Sequence, residues 1–423
     1  MISLDFFDID KRVIEASLQA MELCKEKFTE IENIQEYNQR KMIKAFQNAG
    51  IRESHLTGTT GYGYDDYGRD ALDKVYAYVF DAEDALVRHN FVSGTHALTV
   101  ALFGILRPDD TVLSVTGMPY DTIRSAIGIE GNYSGSLKDF NINFKMVDLC
   151  DDGKVDYESV EDRIRSEQPK MVYIQRSRGY STRSTLTWRE IKRICDISKR
   201  ESPKSIIMLD NCYGEFIDKI EPLSVGVDIM AGSLIKNPGG GIAPTGGYIA
   251  GKEKLVEMCA YRLTTPGTGK EIGATLNANR ELFMGAYHAP HVTGEALKTA
   301  VFASALFEIL GYETNPKYND ERGDIIQLIM LGDKEKLCRF CEGVQSGSAV
   351  DSFVSPVPSD MPGYESKVIM AAGAFTLGSS IELSADAPLR EPYAVWMQGG
   401  LNFHSGKLGV MLAADKILKD EKK

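Results

Sequence analysis

Apolar residues recur at helical spacing through the first fifty positions, with Ile14, Leu18, Met21 and Phe28 on one face. A second amphipathic stretch places Leu72, Val75, Tyr76, Val79 and Phe80 together. Between them lies a loop of glycine, threonine and tyrosine, residues 57–68. From there the pattern changes. Short apolar runs at 86–92, 111–115, 145–149, 171–175 and 206–209 predict strands, and 95–106, 120–129 and 188–199 predict helices. Strands alternating with helices imply an α/β fold with a mostly parallel sheet covered on both faces. In such sheets ligands bind beyond the carboxyl ends of the strands. The last third predicts a long helix at 296–310 and strands at 325–331 and 353–357 of a smaller α+β domain. Glycine and proline clusters at 356–363 and 386–392 punctuate it. The expected division is an N-terminal helical arm over 1–58, a large domain over 59–285 and a C-terminal small domain over 286–423.

The chain of 423 residues is 43% apolar and 26% charged, an ordinary globular composition. Its net charge of −12 argues against a nucleic-acid partner. The start, Met1-Ile2-Ser3-Leu4-Asp5, lacks a signal pattern, and no run approaches the ~20 apolar residues of a membrane span. A cytoplasmic protein without membrane partners is expected. Seven cysteines form no paired framework, which fits a reducing compartment. Cys338 and Cys341 lack the second ligand pair of a zinc site. Pro290, between His288 and His291, is expected to break the helix that would align both rings. No metal site is expected.

The candidate chemistry centres on Lys236, in Ser233-Leu234-Ile235-Lys236-Asn237-Pro238-Gly239-Gly240-Gly241, 26 residues after the strand-ending Asp210. A lysine beside a small hydroxyl residue and a glycine run suits pyridoxal 5′-phosphate (PLP), whose aldehyde takes the amine as a Schiff base. The aspartate would hold the pyridine nitrogen protonated. A surface lysine in a glycine loop would give the same two signals, and three others decide between the readings. Ser93-Gly94-Thr95-His96-Ala97 opens a helix whose N–H groups suit a phosphate, although an ordinary N-cap looks alike. Tyr120 follows the next strand, where its ring could stack on the pyridine or pack in a turn. Asp210 ends a buried strand and needs a partner there. Ser233 adds a hydroxyl. Their order makes one coherent site.

That order resembles the fold-type I PLP enzymes, and within them the cystathionine lyase and methionine gamma-lyase group. More closely, the chain is similar to bacterial proteins of the cystathionine beta-lyase family, aluminium-resistance type. The resemblance covers nearly the whole chain. It is carried by Gln175-Arg176-Ser177-Arg178-Gly179-Tyr180, Asp210-Asn211-Cys212-Tyr213-Gly214-Glu215-Phe216, the Lys236 loop and Ala385-Asp386-Ala387-Pro388-Leu389-Arg390-Glu391-Pro392-Tyr393. It implies that Lys236 is the Schiff-base lysine and proton shuttle, that Asp210 pairs with the pyridine nitrogen and that Tyr120 stacks on the ring. Gly94, Thr95 and Ser233 would hold the phosphate. Arg390 would bind the substrate carboxylate, or else be a surface arginine in a proline-flanked loop. Tyr62, Tyr64 or Tyr120 would assist as acid or base.

Two departures stand out. The better-known lyases place a tyrosine and an arginine two apart in the loop before the first domain helix, where they reach a neighbouring subunit's phosphate. Here Tyr62 and Tyr64 occupy that loop, and the first arginine is Arg69; a tyrosine alone, Arg69 or another basic residue would serve. Ile235 precedes the lysine, where a hydroxyl is usual. Residues 266–271 fail the P-loop spacing and read as a loop near the cofactor, donated across a dimer interface through Lys270. The implied activity is elimination of a thiol from a cystathionine-, cysteine- or methionine-type amino acid, giving keto acid and ammonia. A homodimer or homotetramer with shared sites is implied. The alternatives are another fold-type I PLP reaction (aminotransfer, aldol cleavage or γ-replacement) and a PLP-binding protein without turnover. A nucleotide-binding α/β enzyme would need a glycine fingerprint that is missing.

Overall fold

Strands β4 (Met171–Gln175) and β5 (Ile206–Asp210) lie at the middle of a seven-stranded sheet. The others are β1 (Asp84–Arg88), β2 (Thr111–Ser114), β3 (Asn143–Met146), β6 (Ile229–Ser233) and β7 (Gly247–Gly251), in the order β1-β7-β6-β5-β4-β2-β3. A computed structural model of the chain describes residues 6–131, 133–360 and 366–420. β2 to β6 pair in parallel, and β7 runs antiparallel to both β6 and β1. The sheet is therefore mostly parallel, the α/β class expected.

Every residue of β4, β6 and β7 is buried, because helices cover both faces; such strands carry continuous apolar runs. Alternate residues go to opposite sides. Val172, Ile174, Ile207 and Leu209 pack with residues of α3 (Tyr67–Val79), α6 (Tyr157–Glu167) and α7 (Trp188–Glu201). Met171, Tyr173, Met208 and Ile229 pack with α4 (Gly94–Ile105) and α8 (Glu253–Leu263). Helix α5 (Asp121–Ile127) follows β2. Local caps fix the starts: Thr187 and Glu190 form a capping box on α7.

The chain divides into two compact units, Tyr37–Pro290 and the described residues of Met1–Glu36 with His291–Lys423. Helix α1 (Lys11–Leu23) and the first half of α2 (Lys25–Asn48) thus group with the C-terminal residues. That smaller unit carries an antiparallel sheet, β10-β11-β12-β9-β8, of β8 (Glu313–Asn315), β9 (Gln327–Met330), β10 (Val368–Ala372), β11 (Ser384–Pro388) and β12 (Ala394–Gln398). Its later helices are α10 (Lys334–Ser346) and α11 (Phe403–Asp420).

Two expectations are corrected. Residues 353–357 form no strand, and Phe353 is 87% exposed; Pro356 and Pro358 remove the donors that a ladder needs. Pro290 does not break its helix, since α9 runs Asn279–Ile309 through it. Burial of Phe283, Ala286 and Ala289 before it and of Ala296, Leu297 and Val301 after it offsets a proline cost of about 3 kcal/mol. The last three residues of the 356–363 cluster lie outside the described residues. Among the described residues no helix is long and apolar enough to cross a membrane.

Candidate active site

Parallel pairing brings Gln175 of β4 level with Asp210 of β5, and Asp210 level with Ala231 of β6. A cavity of about 200 Å³ opens at this carboxyl edge. Gly94, Thr95, Tyr120, Asp210, Ser233 and Lys236 line it; Tyr62, Tyr64 and Arg390 do not.

Lys236 is partly buried, with its amine 3.8 Å from the centre of the Tyr213 ring, a cation–π distance. Tyr213 takes a left-handed backbone (φ 72°), which turns its ring toward the lysine instead of continuing the strand. Burial alone would depress the lysine, but Cys212, Tyr213, Asp210 and Glu215 outweigh it and push its pKa up. Asp210 is also buried. Burial raises its pKa, while Lys236 and the Cys212 N–H, donated at 3.1 Å, pull the other way.

At the other end of the cavity, Ser93 caps α4 by accepting the His96 N–H at 3.0 Å. A Cβ on Gly94 would lie 3.2 Å from Ser233 Cβ and 3.3 Å from Cys212 Sγ, so glycine lets the helix start close against β6. The hydroxyls of Thr95 and Thr122 meet at 2.6 Å. Tyr120 is placed by two residues whose roles were not legible beforehand. Gln175 Oε1 accepts the Tyr120 N–H at 2.6 Å, and a Cβ on Gly179 would stand 2.9 Å from the Tyr120 ring. Both belong to the string 175–180. Buried Arg176 donates to Asn211 Oδ1 and Gly214 O, each at 2.8 Å, tying that loop to the turn after β5.

The donor set fits PLP: a lysine amine in the cavity wall, a carboxylate at the strand end, and hydroxyls beside a helix N-terminus for a phosphate. Residues 13–418 match the family model described as methionine gamma-lyase. The chain belongs to the methionine gamma-lyase family. A solved Clostridium novyi NT protein, named a carbon-sulfur lyase involved in aluminium resistance, is 51% identical over 97% of this chain and 96% of its own, with a TM-score of 0.93. The uncharacterized Bacillus subtilis protein YnbB is 47% identical over 93% of each chain. A PLP-dependent Escherichia coli protein, YhfS, shares the fold at 16% identity, with a TM-score of 0.61 over 91% of this chain and 97% of its own. The fold is that of the fold-type I PLP enzymes.

For a member of this family the remaining candidates fall in distinct places. Tyr62 and Tyr64 are 73% and 62% exposed, their ring centres 5.6 Å apart. The buried guanidinium of Arg69 donates to Gly63 O (2.8 Å), Gly273 O (3.1 Å) and Asp70 (2.9 Å), pinning the glycine-rich loop. Lys270 is likewise engaged within its own chain, with Asp84 at 2.7 Å and Asp73 at 3.3 Å. Arg390 is exposed in the turn between β11 and β12 of the smaller unit.

Proposed function

We propose that this protein is a PLP-dependent carbon–sulfur lyase, eliminating a thiol from a sulfur-containing amino acid to leave keto acid and ammonia. The observation that carries the reading is the placing of Lys236 and Asp210 in the wall of one cavity, at and beyond the ends of β5 and β6. Similarity to the C. novyi carbon-sulfur lyase supports it. When bound, PLP supplies an aldehyde for the substrate amine and a ring that takes up the electron pair left on the α-carbon.

The chain's own residues do the rest. Asp210 holds the pyridine N–H, a cationic partner that relieves its unfavourable burial. Thr95, Ser233 and the N–H groups opening α4 hold the phosphate, and Tyr120 covers one face of the ring. Lys236 would hold the cofactor aldehyde and act as the base that takes the α-proton. Tyr120, or the exposed pair Tyr62 and Tyr64, protonates the leaving sulfur. Arg390 binds the substrate carboxylate. Sites are completed in a homodimer or homotetramer, in which Tyr62 and Tyr64 reach a second subunit, and the protein works in the cytoplasm.

The test combines two readouts. Borohydride reduction of the PLP-containing protein should leave a pyridoxyl group on Lys236 in a peptide map. Cystathionine, cysteine and methionine, supplied singly, should separate the substrates by release of thiol and keto acid. Dependence on a second substrate would instead indicate group transfer, and release persisting at the wild-type rate in Lys236→Ala would refute the assignment.

A further inference from the structure

Glu215 does not line the cavity, yet it is fully buried and acts electrostatically on Lys236. Tyr248 of β7 donates to its Oε1 at 2.7 Å, while Oε2 has no hydrogen-bond partner among the described residues. Gly232 in β6 makes room for this pair. A Cβ there would fall 2.6 Å from Glu215 Oε1 and 2.9 Å from Tyr248 Oη. The acid's turn is also stapled to the lysine's loop. Asn237, next to Lys236, donates its amide to Tyr213 O and to Glu215 O, each at 3.0 Å. A buried carboxyl with an unsatisfied oxygen costs stability and calls for an explanation. Elimination as proposed above has no step for it.

We propose that Glu215 is a positioning residue that sets the proton affinity of Lys236 through its own charge. Neutral, it loosens the hold that the surrounding groups keep on the lysine's proton; ionised, it tightens that hold. The inference rests on the reading of Lys236 as the cofactor lysine. The groups around Glu215 are Tyr248 of β7, Tyr76 of α3, Lys236, Cys212 of its own turn, and Glu221. Arg176 packs beside the turn at Gly214. Burial lifts the Glu215 pKa to about 8, against the opposing Tyr248 hydrogen bond and Lys236 charge, and Glu221 adds to the rise. At neutral pH the neutral carboxylic acid therefore predominates.

The test is reductive methylation of the full-length chain with formaldehyde and cyanoborohydride across a pH series, with Lys236 labelling read by peptide mapping. Glu215→Gln removes the negative charge that Glu215 carries above about pH 8, so in that range Lys236 should label about tenfold faster, the equivalent of one pH unit, while below it the two proteins label alike. Tyr248→Phe removes the donor that favours the carboxylate and should also speed labelling, by less; it carries the test if Glu215→Gln fails to fold by circular dichroism. Unchanged labelling above about pH 8 in a folded variant overturns the inference. With PLP added, the pH at which the visible absorbance changes should move down in both variants. A protein that takes up no PLP refutes the cofactor reading, while the labelling still decides the role of Glu215.

Discussion

Asp66, in the glycine-rich loop before α3, and Asp210, at the end of β5, are both buried acids of the larger unit. Their surroundings differ sharply. Asp66 accepts from the Thr59 and Thr275 hydroxyls, each at 2.5 Å, from the Arg69 N–H at 2.9 Å and from the Asn279 amide at 3.2 Å. Burial would raise its pKa, but these four donors together bring it below the ordinary 3.8. Asp210 has the Cys212 N–H and thiol, with Lys236 and the more weakly acting Arg183, and these do not reverse the effect of burial, so its pKa is raised. A saturated buried carboxylate holds a loop together. An under-served one facing a cavity waits for a ligand.

Substitutions can break this contrast. The largest effect is expected in Lys236→Ala, with thiol and keto acid release falling at least ~10³-fold and PLP no longer trapped by borohydride. In Asp210→Asn, turnover should fall on the order of 100-fold without loss of stability. The sign follows from the raised pKa: the Asp210 contribution is fullest below 3.8 and is lost as pH rises through its folded value. The variant's melting temperature at neutral pH should therefore match or exceed that of the wild type. A marked drop would make Asp210 a structural residue like Asp66.

Asp66→Asn should do the reverse, costing about 2–3 kcal/mol of stability. Its lowered pKa places its contribution above 3.8, to be lost as pH falls through the folded value. Denaturant titrations of wild type and variant should accordingly converge only below the folded value, which lies under 3.8. The smallest effect is expected in Lys270→Ala, about 1 kcal/mol with PLP uptake unchanged. Weakened uptake would move Lys270 from the structural side of the comparison to the functional one.

What could be read from the chain follows the same division. β4 was legible to the residue because a strand buried on both faces leaves an uninterrupted apolar run. Gly94, Thr95, Tyr120 and Asp210 were legible because each ends or follows a predicted strand, whereas Ser233 and Lys236 were legible from the hydroxyl and glycine run alone, β6 having gone unpredicted. Tyr213 and Gln175 were not, since their positions depend on a left-handed turn and on pairing across the sheet. Arg69 and Lys270 looked available because the groups that occupy them, Gly273 O and Asp84, lie some two hundred positions away. The helix beginning at Asn279 was missed in its first half because the local effect of Pro290 was weighed without the packing on either side.

The antiparallel pairing of β6 with β7 has a further consequence for Lys236. Ser233 opposite Gly247 closes the segment 234–246 into a hairpin loop at the strand ends. A one-residue register slip would turn Ser233 to the other face of the sheet and carry the lysine with it. The position of the amine is thus inherited from a backbone ladder in the interior, and native-state hydrogen exchange at Ala231 and Ile249 should be among the slowest in the chain.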